Sequence, residues 1–268
     1  VTIHVHYSIS RLVPSGYRPR MADDRVGYFV TAVKDYSNTG DDQFVRLINR
    51  WNLQKADPTA KLSPAKKPIV FWIENTVPYK YRKPIREGIE EWNKAFEAAG
   101  ILNAIEVRQQ PDDATWDPED INYNTFRWMT ANAGFSMGPS RINPYTGEIL
   151  DADIILDADF VNAWGRQIET LTPDDVAAMT GGPLDIESYH QQQAERTSHV
   201  HGHNCNNCQG IAREIGLAHS ALALHAEGAQ LEELKEAVIM QGLKEVVMHE
   251  VGHTLGLPHN FKASAWKT

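Results

Sequence analysis

His249-Glu250-Val251-Gly252-His253-Thr254-Leu255-Gly256-Leu257-Pro258-His259 is the stretch on which the reading of this chain turns. Its pattern is H-E-x-x-H-x-x-G-x-x-H, with every fixed position filled. Two histidines four apart on a helix share one face, one turn from each other, so both imidazoles reach a single ion. Gly256 permits the sharp turn that ends the helix, and the turn brings His259 back toward the same point. Three neutral imidazoles, His249, His253 and His259, then fill three corners of a tetrahedron around Zn2+ and leave the fourth to water. Glu250 lies about 100° round the helix from His249 and flanks the metal without having to bind it. A carboxylate there can act as general base toward a zinc-bound water and pass the proton to a leaving amine. The short H-E-x-x-H also arises on solvated helix faces. The added glycine and third histidine have separate physical jobs, and they point to a zinc hydrolase.

Working outward, Leu243, Val246 and Val247 supply apolar helical spacing before the motif, and Pro258 blocks continuation after it. The spacing predicts a motif helix from about Leu231 to Leu255, with a bend possible at Gln241-Gly242. Upstream, 161–230 is polar and helical in pattern: Thr172-Pro173 reads as a helix start, with further helices over Leu184–Arg196 and Ile211–Ala226. Glu148–Phe160 alternates. Leu150, Ala152, Ile154 and Leu156 form one face, and Ile149, Asp151, Asp153, Ile155, Asp157 and Asp159 the other. Ile69–Ile73 reads as a buried strand, and Ala104–Arg108 and Asn124–Met129 as two more. Tyr81–Ala99 reads as an amphipathic helix closed by Gly100. In the N-terminal part, residues 1–9 and Arg25–Val33 read as strands, and Phe44–Leu53 as a third element of open type. Residues 56–67 read as a connector, and 110–120 and 131–147 as loops. This gives a β-rich N-terminal section and connector over 1–67 and a catalytic region over 68–268, with a helical insertion at about 161–230. The fold class is α/β: a mixed sheet packed by a backing helix and by the motif helix, with a ligand cleft along the sheet edge.

Composition narrows the function classes. The chain has 268 residues, 42% of them hydrophobic, and a net charge of -9. The negative charge argues against nucleic acid and anionic membrane surfaces as partners. No apolar run approaches the roughly 18 residues of a transmembrane helix. The start has neither initiator Met nor signal peptide, and both ends read as the interior of a longer precursor.

The element order and the extended motif resemble the metzincin clan of zinc endopeptidases. The chain is more closely similar to a bacterial family of large zinc metalloproteases of the envelope or secreted space. The similar stretches are Tyr17–Phe29, Gly88–Gly100, Gly147–Ile154 and Met248–Lys262, the last being the one specific for chemistry. The resemblance implies zinc ligands at His249, His253 and His259 and a general base at Glu250. It implies a metzincin-like mixed sheet whose antiparallel edge strand, 148–156, takes a peptide or protein substrate by strand addition, and an extracellular, periplasmic or cell-envelope location. The methionine turn and C-terminal subdomain that this clan places after the third histidine are not found in Asn260–Thr268. Two rival readings stay open: a truncated zinc-binding module without activity, and a zinc hydrolase of a non-peptide amide.

Two further clusters have competing readings. His199, His201, His203, Cys205 and Cys208 fit a second metal, a short disulfide, or neither. The aspartate row 151, 153, 157 and 159 fits calcium, or a charged exposed edge that blocks unwanted strand pairing. His4, His6, His190, His219 and His225 are isolated. Trp51, Trp72, Trp92 and Trp128 read as core.

Overall fold

The computed structural model describes residues 3, 5, 7–131, 135–170, 215 and 228–260. The Cys205/Cys208 cluster, the helices expected from Thr172 to Ala226 (Ile215 apart), and His4, His6, His190, His219 and His225 lie outside the described residues. Two compact units form. One takes residues 1–128, 137–155 and 247–268; the other takes 129–136 and 156–246.

The core of the first unit is built on β5 (Ile69–Ile73), whose alternate side chains Ile69, Phe71 and Ile73 are all buried. The preceding elements are β1 (Val30–Lys34), β2 (Phe44–Ile48), β3 (Arg50–Trp51) and β4 (Ser63–Pro64). After β5 come α1 (Tyr79–Glu90), α2 (Asn93–Ala98), β6 (Ile101–Leu102), β7 (Ile105–Gln109) and β8 (Asn124–Met129). β5 pairs in parallel with both β7 and β8, in register Ile69↔Ile105 and Phe71↔Asn124. The parallel step from β5 to β7 needs a crossover, and α1 and α2 provide it. α1 buries Tyr81, Ile85 and Ile89, one side chain per turn, and it packs on β5 and β7. Each such burial stabilises by roughly 1.5–3 kcal/mol relative to exposure.

The helix expected over 81–99 is broken in two. Glu91 and Trp92 join the two pieces with dihedrals that stay right-handed, and the next side chain is tied to β7. Asn93 exchanges two 2.9 Å hydrogen bonds with the backbone of Ile105, at the start of β7. Gly100 follows α2 with a φ of 92°, closing it as the sequence suggests.

Then follow β9 (Ser136–Met137), β10 (Ser140–Ile142), β11 (Glu148–Ala152), β12 (Ile154–Asp157), α3 (Asp159–Thr170) and α4 (Gly228–Thr254). The main sheet has the order β7-β5-β8-β12-β9, and a three-stranded sheet has the order β10-β11-β3. β1 and β2 form an antiparallel ribbon, Val30↔Ile48 to Lys34↔Phe44, and β4 pairs in parallel with β6. This is the mixed α/β architecture expected, with a β-rich N-terminal part and a C-terminal helix. No described helix is long and apolar enough to cross a membrane.

Three expectations are corrected. Residues 3, 5 and 7–9 form no strand, and Ile3, Val5, Tyr7 and Ile9 stand exposed. Alternation states which face a strand would bury, not whether a sheet edge is available to bury it. The loop expected over 131–147 contains β9 and β10, too short to announce themselves by periodicity. The stretch 148–156 is not one edge strand. It breaks at Asp153 into β11, which lies between β10 and β3, and β12, which lies between β8 and β9. The outer antiparallel strand is β10.

The same break overturns the reading of the aspartate row as an exposed edge. The alternation changes phase between the two strands: in β11 Leu150 is exposed and Asp151 buried, whereas in β12 Ile154 and Leu156 are buried. Asp157 is buried as well. Among the described residues the aspartates do not gather into a cation-binding group.

Asp151 carries a consequence for stability. Burial first, and the neighbouring Asp153 charge second, push its carboxyl up to about 7, against a distant Arg141 guanidinium at 4.0 Å. Its Oδ1 has no hydrogen-bond partner. The folded state therefore keeps a proton that the unfolded chain releases near pH 4, so stability falls as pH rises from about 4 to about 7. The full effect would be at most about 4 kcal/mol, and protein and solvent relaxation bring the expectation to about 2 kcal/mol. Asp151→Asn is expected to flatten this dependence and to raise the urea midpoint at pH 8 while changing little at pH 4.5. Parallel pH–stability curves for the two proteins would contradict the assignment.

Candidate metal centre

α4 delivers the site. Leu243, Val246, Val247 and Val251 are fully buried and fix the rotation of the helix about its axis. Two indoles hold its last turns in the first unit. Trp92 Nε1–H donates to the Met248 carbonyl at 2.8 Å, and Trp51 Nε1–H donates to the Thr254 carbonyl at 2.9 Å.

The helix then ends in a Schellman turn. Leu257 N–H donates to Gly252 O at 3.1 Å, and Gly256 N–H to His253 O at 2.9 Å. Gly256 occupies the left-handed position with φ 96°. A Cβ there would also stand 2.2 Å from the Asn49 carbonyl oxygen, so glycine is required twice. Close approach recurs at Gly138, before β10, where a Cβ would lie 2.4 Å from the Glu250 carbonyl oxygen. The chain just before β10 thus touches the motif helix at Glu250.

The turn brings the three histidines together. Nε2 of His249 and Nε2 of His259 are 3.0 Å apart, and Nε2 of His253 is 3.1 Å from the first and 3.2 Å from the second. The tautomer of His253 is set from outside: its Nδ1–H donates to the Leu257 carbonyl at 2.7 Å, which leaves the Nε2 lone pair facing the other two rings. Ligands at about 2.05 Å in a tetrahedron sit about 3.3 Å from each other. Three imidazole nitrogens at 3.0–3.2 Å therefore fit one zinc ion, and a shared cation gives their converging lone pairs a common partner. Among the described residues this is the group of three whose donor atoms converge.

Glu250 is 1% exposed, beside His249 on the same helix. Phe29, which the sequence reading gave no role, packs against the site with its ring centroid 5.9 Å from that of His253. Asn49, Trp51 and Gly138 were missed too. Their contributions are a backbone carbonyl, an indole N–H and the lack of a side chain, none of which leaves a pattern in sequence. A cavity of about 720 Å3 lies in the same unit, with Trp51, Trp72, Tyr123, Arg108 and Glu148 in its wall, but none of the four motif side chains lines it. The chemistry follows the donor atoms, not the volume.

With this geometry in view, the comparisons with known proteins are specific. Residues 231–268 match the family described as Met-zincin, and residues 1–56 match a domain family of unknown function. No curated protein and no solved structure matches the chain. The Met-zincin match and the converged histidines together mark a metzincin-type metalloprotease centre.

Proposed function

We propose that the chain is a zinc-dependent endopeptidase in which His249, His253 and His259 hold the metal and Glu250 is the general base. The observation that carries this reading is the meeting of three Nε2 atoms within 3.2 Å, with the His253 tautomer already fixed for ligation. Zinc, when bound, supplies a Lewis acid that polarises a carbonyl and makes water a better acid. The chain's own groups do the rest. The Glu250 carboxylate takes the proton of the attacking water and returns it to the departing amine nitrogen. Its burial suits a carboxylate whose charge is offset by a divalent cation next door.

A substrate in extended form would add to the outer edge of β10, which follows two residues after Gly138, where the chain meets the motif helix at Glu250. On this reading the peptide strand would lie along 140–142, because β11 is flanked on both sides by β10 and β3. The class of substrate, a peptide or protein, and an extracellular or envelope location rest on the family resemblance.

The test is a peptide-library digest of the purified chain with metal analysis alongside. About one zinc per chain, hydrolysis lost on chelation, and recovery on adding zinc back are the expected results. Zinc uptake without cleavage of any peptide would leave the binding-module reading. Cleavage confined to non-peptide amides would leave the other hydrolase reading.

A further inference from the structure

The end of α4 caps itself only in part. A helix C-terminus leaves its last four carbonyls without intrahelical partners. Here the local chain satisfies Val251, Gly252 and His253 through the amides of Leu255, Leu257 and Gly256. The fourth, Thr254 O, accepts from Trp51 Nε1–H, and just beyond the helix Gly256 O accepts from the Phe29 N–H at 2.8 Å; both donors lie more than 200 positions upstream. Phe29 and Asn49 are locked to each other by the bond from Asn49 N–H to Phe29 O, also 2.8 Å, and the Asn49 carbonyl closes on Gly256. The Phe29 ring meanwhile backs His253.

We infer that the N-terminal segment matched to a domain of unknown function is a wall of the metal centre, with Phe29 and Trp51 as positioning residues for His253 and for the turn that carries His259. The inference rests on the zinc reading of the site and adds to it the groups that fix ligand geometry. A turn held at both of its outer carbonyls delivers His259 to one place, and a ring packed on His253 keeps its Nδ1 on Leu257 O. Residues of this kind, behind the ligands, typically change metal affinity by 10–100-fold when altered.

The experiment uses the full chain. Trp51→Phe removes the indole N–H and keeps a ring, Phe29→Ala removes the ring against His253, Phe29→Tyr restores one, and Tyr36→Ala changes an exposed side chain of the same segment. Zinc affinity is read by competition with a chromogenic chelator, site geometry by the visible spectrum of bound Co2+, and turn order by amide hydrogen exchange at residues 255–257 without metal. Trp51→Phe and Phe29→Ala are expected to bind zinc roughly 10-fold or more weakly, with a shifted Co2+ spectrum and faster exchange in the turn. Phe29→Tyr and Tyr36→Ala are expected to match the parent. Unchanged affinity, spectrum and exchange in Trp51→Phe and Phe29→Ala would overturn the inference. A parent chain that binds zinc without hydrolysing peptides removes the peptidase proposal and leaves this one standing. A parent that takes up no metal removes the zinc reading, and the exchange rates alone then decide: faster in the variants supports the wall, unchanged overturns it.

Discussion

Gly256→Ala is expected to lower the melting temperature by roughly 10 °C and to abolish tight zinc binding. Two costs add. A non-glycine residue held at φ 96° pays about 1–3 kcal/mol for the backbone conformation. A methyl group 2.2 Å from the Asn49 carbonyl oxygen adds an overpacking cost of about 1–3 kcal/mol, since the obstacle is backbone and cannot rotate away. Relief comes only if the turn moves off Asn49, and the turn is what places His259. Stability and metal affinity should therefore fall together. Thermal unfolding followed by circular dichroism, paired with zinc titration, checks both. A variant that melts with the parent and binds zinc as tightly would show that the left-handed turn is not what builds the site.

That glycine also shows which parts of the molecule were legible. The motif states its own geometry, because each fixed residue has a local place: three histidines that converge, one buried carboxylate and one turn. β5, β8 and α1 were legible for a similar reason. Ile69, Phe71 and Ile73, or Ile85 and Ile89, bury themselves at spacings that the chain repeats. What escaped was set by partners distant in sequence. The alternation over 148–157 looked like one strand, yet Asp153 divides it between two sheets, and the phase of burial changes across the divide. The row at residues 1–9 alternated with nothing described to pair with it. At the break, Trp92 and Asn93 are tied to Met248 and Ile105, partners that the local helical spacing does not name. Around the converged histidines, the three rings were visible and their supports were not. Phe29, Asn49 and Trp51 act through a backbone amide, a backbone carbonyl and one ring N–H, so their residue types carry little of the message.

Glu250→Gln is expected to reduce kcat by about 10²–10⁴-fold with KM nearly unchanged, the range general-base catalysis supplies. The substitution keeps the size and the hydrogen-bonding reach of the buried side chain and removes its ability to accept a proton. Glu250 is not one of the three converging donors, so zinc content should stay at the parent's value. This separates it from His253→Ala, which removes a ligand and should lose the metal and the activity together. The isosteric change matters because the position is 1% exposed. Truncation to alanine would also leave a cavity beside His249 and mix a packing loss of a few kcal/mol with the chemical one. A fall in kcat at constant KM locates the missing interaction in the transition state, where the proton is in flight, and not in substrate binding. Zinc analysis, a melting curve and initial rates on a cleavable peptide together make the measurement. Hydrolysis within a few-fold of the parent, in a variant that holds its zinc, would mean that another group takes the proton and that the carboxylate beside His249 serves the fold instead.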